Sequence, residues 1–212
     1  MNLFRKAWHL CRILVDYRAG RTVVRTPPIR MWVETTARCN LRCVMCTNKE
    51  MPAAEKGHMS LDLFRKIVDE AAGFVHDLYL HHRGEPLLNP NLFDMIQYAE
   101  RAGIPTRFHC NGTRLTPEAC DRLLDAAPSL VSFSIDGFDK APYEAVRVGA
   151  TFEKTLDNVF HLLARRRERG ARKPYVVIEK IIFRNRPETP DARTRVAALT
   201  RRFLDAGADE VV

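Results

Sequence analysis

The chain has 212 residues, 46% of them hydrophobic, and a formal net charge of +8. That length and apolar fraction suit one domain with a substantial core and exclude a disordered polyelectrolyte. No run approaches the ~20 apolar residues of a membrane-spanning helix. The charged N-terminus has no small-residue cleavage site and is not read as a secretory signal, so a reducing, cytoplasmic setting is expected, with thiols free for metal.

Residues 3–15 put Leu3, Phe4, Ala7, Trp8, Cys11, Leu14 and Val15 on one helical face, with Arg5, Lys6, Arg12 and Asp16 largely off it. A helix that docks this stripe on the body is expected. The second reading lays it on a membrane surface. Pro27-Pro28 ends the segment, so two units are expected: 1–28 as helix and linker, 29–212 as the main domain.

From residue 30 β-rich runs alternate with amphipathic helices. Strands are predicted over 31–35, 77–81, 106–110, 130–135 and 175–183, and 210–212 opens a sixth. Ser60, Asn89-Pro90, Thr116-Pro117 and Thr189-Pro190 mark helix starts. The helical faces are Leu63, Phe64, Ile67, Val68 and Ala71, then Leu92, Phe93, Ile96 and Ala99, then Leu123 and Leu124. Phe152, Leu156, Val159, Phe160 and Leu163 form the next face, and Val196, Leu199, Phe203 and Leu204 the last. Gly103 and Gly207 stand at helix ends. Repeated βα units predict an α/β fold with a parallel sheet, curled toward a barrel by right-handed crossovers. Barrel chemistry sits on loops at the C-terminal strand ends. The chain stops inside an apolar strand, an edge that domains usually hide, so a domain cut short at strand 6 is expected.

Cys39, Cys43 and Cys46 follow the first predicted strand within eight residues. Zinc sites pair cysteines and complete four ligands. Here three thiols share one loop with no fourth near. A zinc knot with His58, or three unrelated buried cysteines, remain the alternatives. Three thiolates can instead hold three irons of a [4Fe–4S] cluster and leave the fourth iron open to a small molecule.

This C-x3-C-x2-C spacing, with Asn40-Leu41-Arg42 inside it, resembles the radical S-adenosylmethionine (radical SAM) superfamily. The resemblance covers residues 30–212 and implies a partial (β/α)6 TIM-like barrel, with a [4Fe–4S] cluster on Cys39, Cys43 and Cys46. The open iron would chelate S-adenosyl-L-methionine (SAM), whose reductive cleavage yields a 5′-deoxyadenosyl radical. His82 to Leu88 resembles the family's Gly-Gly-Glu-Pro loop, with Arg83 at the first glycine. Gly84, Glu85 and Pro86 are then expected at the SAM amine, though alone they read as a turn. Asn111-Gly112-Thr113 resembles Thr-Asn-Gly-Thr, with Cys110 for the first threonine, and points Asn111 at substrate or ribose. Ser134 and Asp136, two apart, face one way from a strand and suit the ribose hydroxyls or the carboxylate end of SAM. Tyr143-x3-Arg147 resembles a family segment whose arginine would pair with the SAM carboxylate. An ordinary surface ion pair is the alternative. Met45 stands where relatives place an aromatic beside adenine. Ile181, Ile182 and Phe183 read as adenine contacts or plain core, and Arg184-Asn185 as reaching cofactor or substrate.

Gly-Glu-Pro-Leu-Leu, Asn-Gly-Thr and Ser-Ile-Asp-Gly are most similar to members with a SPASM extension, yet Cys11, Cys110 and Cys120 form no second cluster motif. The resemblance further implies an external one-electron donor of flavodoxin or ferredoxin type and a peptide or small-molecule substrate. A non-catalytic cofactor-binding fragment is a rival reading. An RNA-modifying enzyme ranks lower, because the basic run from Arg165 to Arg169 reads as a solvated helix end without aromatic interleaving.

Overall fold

In the computed structural model, which describes residues 3–183 and 190–212, each β-rich run finds a parallel neighbour. The elements are α1 (Leu3–Arg18), β1 (Arg30–Trp32), α2 (Leu61–Ala71), β2 (Asp77–Tyr79), α3 (Leu92–Arg101) and β3 (Thr106–Cys110). They continue with α4 (Pro117–Ala126), β4 (Leu130–Ser134), α5 (Lys140–Val146), α6 (Phe152–Glu168), β5 (Tyr175–Glu179), α7 (Pro190–Ala206) and β6 (Glu210–Val211). The sheet runs β1-β2-β3-β4-β5-β6, with neighbours parallel throughout. This is the expected α/β partial TIM-like barrel, preceded by an N-terminal helix.

Helix starts obey local chemistry. Ser60 Oγ accepts the Leu63 N–H at 3.2 Å, and Thr116 Oγ1 accepts the Ala119 N–H at 3.2 Å. Each satisfies a donor the first turn leaves orphaned. Phe108, Val131, Phe133, Val176 and Ile178 from the strands, and Val68, Ile96, Leu123, Val159 and Phe203 from the helices, are fully buried in one core. Each such side chain contributes about 1.5–3 kcal/mol on burial. Strand alternation leaves Tyr79, Arg107, His109 and Glu179 for the opposite, inner face.

Several expectations need correction. The stripe on α1 does not dock: Phe4 is 80% and Trp8 63% exposed, while His9 and Asp16 are the buried residues. Polar contacts hold this helix. Asp16 accepts from Arg21 and from Thr26 Oγ1, both at 2.6 Å, and His9 Nε2 lies 2.8 Å from the Pro27 carbonyl. Strand β5 ends at Glu179, so Ile181, Ile182 and Phe183 lie beyond it, and Ile182 is exposed. They are not core. Leu63 and Leu204, read as inward, are also exposed. Helix α5 went unread. Arg184-Asn185 and the Thr189 helix start lie outside the described residues.

The basic run is a solvated helix end only in part: Arg167 and Arg169 are exposed, whereas Arg165 and Arg166 are half-buried. Arg166 donates to the carbonyls of Pro174 (2.6 Å) and Gly207 (2.7 Å), and Arg167 to that of Asp205 (2.7 Å). Arg165 pairs with Asp121 and Arg169 with Asp125. These arginines pin α6 to α4 and to the α7–β6 turn. Among the described residues no helix is long and apolar enough to cross a membrane.

Candidate functional site

The site forms where the loops after β1, β2 and β3 meet. Cys39, Cys43 and Cys46, all free thiols, line a cavity of about 310 Å3 together with Met45, Gly84, Glu85, Asn111, Ser134 and Arg147. The cysteine loop is laid down by backbone pairing: Arg42 N–H donates to Val148 at 2.9 Å and Val44 N–H to Val146 at 3.0 Å. Leu41 and Cys43 are buried beneath it.

Each companion loop is bolted to this one. Glu34 Oε1 accepts the N–H groups of Arg83 (2.8 Å) and Gly84 (3.3 Å), and Glu85 N–H donates to the Arg38 carbonyl at 2.8 Å. A Cβ at Gly84 would stand 1.8 Å from the Thr36 carbonyl oxygen and 2.7 Å from its carbon. Both atoms are backbone and cannot rotate away. Gly84→Ala is therefore expected to cost about 3 kcal/mol or more, the upper end of overpacking. Gly57→Ala, with open space around its added carbon, should stay within ~0.5 kcal/mol. Denaturant midpoints of the two variants check this contrast.

Glu85 is buried. Its Oε2 accepts Asn111 N–H at 2.7 Å and its Oε1 accepts Leu87 N–H at 3.1 Å. Burial pushes its carboxyl up to about 7, and those two N–H groups oppose the rise. Pro86, also buried, opens the one-turn helix that follows. Asn111 lines the cavity, but its amide is engaged within the protein. Its Nδ2 donates to Asn40 Oδ1 (3.1 Å), and its Oδ1 accepts from Thr113 N–H (2.9 Å) and Oγ1 (2.6 Å). Asn40 in turn reaches Thr113 at 2.8 Å. Asn111 therefore ties the β3 loop to the cysteine loop.

Ser134 and Asp136 do not share one cavity. Ser134 lines the cysteine cavity, whereas Asp136 lines a neighbouring one of about 450 Å3 with Phe138, Ile181, Ile182 and Phe183. Asp136 is buried and its carboxylate is taken: Oδ2 accepts from Arg147 Nε at 2.5 Å and Oδ1 from Ile181 N–H at 2.9 Å. The Asp136–Arg147 pair thus stands between the two cavities. Arg147 also points Nη1 at Cys43 Sγ, 3.8 Å away. Arg147 is neither a surface pair nor free for a cofactor carboxylate alone.

A residue set that motif reading missed lies on the inner face. His81 and His109 stack with ring centroids 4.2 Å apart, and His109 Nδ1 sits 2.9 Å from Glu179 Oε2. The His109 N–H donates to His81 Nδ1 at 3.2 Å, which leaves the proton of a neutral His81 on Nε2. Burial, then the neighbouring His109, push the His81 imidazole down to about 4. Both rings line the cysteine cavity. The signal available was three histidines, His81, His82 and His109, at the ends of adjacent strands.

The donor set fits an anionic iron–sulfur cluster. Three thiols face one cavity, Leu41 N–H lies 3.5 Å from Cys39 Sγ, and a guanidinium approaches Cys43. Such donors stabilise cluster sulfur charge. Burial raises the thiols of Cys39 and Cys43, while Arg147 opposes the rise at Cys43. Among the described residues no group of three or more His, Cys, Asp or Glu is disposed to hold a single metal ion.

A parallel partial barrel with a three-thiol loop after its first strand and a Gly-Glu-Pro turn after its second is the arrangement that the radical SAM resemblance implies. The chain belongs to the Radical SAM superfamily, whose family model matches residues 33–172. The cofactors of that family are a [4Fe–4S] cluster and SAM. The chain is 31% identical over 184 residues to the tungsten-containing aldehyde ferredoxin oxidoreductase cofactor-modifying protein of Pyrococcus furiosus, covering 86% of this chain and 50% of that one. It is 32% identical over 138 residues to AdoMet-dependent heme synthase of Methanosarcina barkeri, covering 65% and 39%. Streptococcus suis SuiB bound to precursor peptide SuiA has the same fold, with a TM-score of 0.71 at 12% identity over 94% of this chain and 41% of SuiB. The chain spans about half the length, or less, of these curated relatives.

Proposed function

We propose that residues 29–212 are the SAM-cleaving core of a radical SAM enzyme that modifies a peptide or a small molecule. The observation that carries this is the convergence of Cys39, Cys43 and Cys46 on one cavity whose other walls are the Gly84–Pro86 turn, Ser134 and Arg147. Cys39, Cys43 and Cys46 would hold the cluster, which would supply the one electron for cleavage of SAM to methionine and a 5′-deoxyadenosyl radical able to take a hydrogen atom from substrate. An external one-electron donor of flavodoxin or ferredoxin type supplies that electron, and a cytoplasmic location keeps the thiols reduced.

This chain's own residues bind and orient. The strand-end backbone around Gly84 offers carbonyl acceptors to the methionine ammonium. Ser134 offers a hydroxyl to the ribose. Arg147 fixes the wall beside Cys43 and presents positive charge to the carboxylate end of SAM. Glu85 and Asn111 hold their loops in register rather than grip the cofactor directly. Asp136 acts through Arg147. His81 and His109 form the polar inner wall available to substrate. Similarity to a heme synthase and to a protein bound to a precursor peptide supports this substrate range.

The test is anaerobic reconstitution with iron and sulfide, followed by dithionite and SAM. The expected result is 5′-deoxyadenosine. A protein that carries the cluster and yields none is the rival, a cofactor-binding protein without turnover.

A further inference from the structure

Helix α1 faces the wrong way for a core helix. At about 100° per residue, His9 and Asp16 fall on one side, and Leu3, Phe4, Trp8, Leu14 and Val15 fall on the opposite side. The polar side is the one that meets the body. Hydrogen bonds of Asp16 with Arg21 and Thr26 and of His9 with Pro27 tie it to the segment that follows, and edge-on contact of His9 with His76 at 5.3 Å reaches the barrel. The apolar side is exposed along the whole helix, and exposed Val23 and Val24 follow it.

Charge tells what covers this face. Arg12 lies beyond one edge of the stripe, next to Trp8, Lys6 lies beyond the other, and Arg18 closes its C-terminal end, while Arg5 falls on the side of His9 and Asp16. The single carboxylate of α1, Asp16, is buried on the far side. A second copy of this helix laid on the stripe would press cation against cation. A peripheral helix with an apolar face, a tryptophan at its margin and flanking Lys and Arg suits the headgroup–acyl boundary of an anionic bilayer.

We propose that α1 is an interfacial anchor that lays Leu3, Phe4, Trp8, Leu14 and Val15 onto an anionic membrane surface without crossing it. The hydrogen-bonded inner side then fixes how the barrel stands above the bilayer. This inference is independent of cluster chemistry, and its test needs none.

The probe is vesicles of pure phosphatidylcholine and of phosphatidylcholine with phosphatidylglycerol, read by co-flotation and by Trp8 fluorescence in a Trp32→Phe background. The expected result is at least tenfold tighter binding to the anionic vesicles, a blue shift of Trp8, and release at high salt. Lys6→Gln and Arg18→Gln should each weaken binding about fivefold. Phe4→Ser with Leu14→Ser should weaken it more than tenfold while leaving the thermal melt unchanged, because both side chains are exposed. Three results would overturn the proposal: equal partition to both vesicle types, no partition at low salt, or a stable dimer that buries the stripe and ignores lipid.

Discussion

Alanine in place of Cys39, Cys43 or Cys46 is expected to reduce 5′-deoxyadenosine formation to background, a loss of about 10^3-fold or more in a reaction class accelerated at least ~10^6-fold. The reason is stoichiometric. Each thiol would account for one iron, and the loop offers no spare cysteine: Cys120 is buried in the core, and Cys110, which also borders the cavity, is a buried residue of β3 rather than of the loop. The fold should survive. Cys43 is small and behaves as a buried hydrophobe in the apo chain, so its truncation removes one sulfur and costs about 1 kcal/mol. The loop's path is set by Arg42 and Val44 backbone pairing and by Asn40 with Asn111 and Thr113, which alanine leaves intact. Iron content, visible absorbance and product are measured on each variant beside Cys120→Ala. A Cys43→Ala protein that keeps full iron and product would remove these cysteines from the site.

What could be read from the sequence was local. Thr106–Cys110 emerges with the expected limits because polar and apolar residues alternate along it. The cysteine loop was legible because its three cysteines lie within eight residues. Helix α5 was not, because seven residues opening on Lys140-Ala141-Pro142 are too few to show a repeating apolar face and look like a turn. Partners that meet only after folding were also hidden. His81 and His109 lie 28 residues apart and meet through β2–β3 pairing. Asp136 and Arg147 each looked like a cofactor ligand until the fold paired them with each other. The α1 stripe shows the limit most sharply. Periodicity says which residues share a face, but it carries no information on whether that face turns inward. Hydrogen bonds of His9 and Asp16 decided the orientation.

Arg147→Met tests the buried pair that divides the two cavities. The Arg147 and Asp136 side chains are only 12% and 1% exposed. Removing the guanidinium strands a carboxylate that retains one backbone donor, Ile181 N–H. Breaking such a pair from one side costs about 3–5 kcal/mol, which for a chain of this size lowers Tm by about 10 °C. Lysine should rescue little, because a point charge cannot bring two N–H groups to one carboxylate oxygen while a third faces Cys43. The double variant Asp136→Leu, Arg147→Met should recover most of the lost stability, since two apolar groups replace two desolvated charges. It should not recover SAM cleavage, because no cation then stands beside Cys43. Melting of the apo chain separates the two effects, and a double-mutant cycle gives the coupling. Equal stability of Arg147→Met and the parent would mean that the pair does not hold the wall between the cavities.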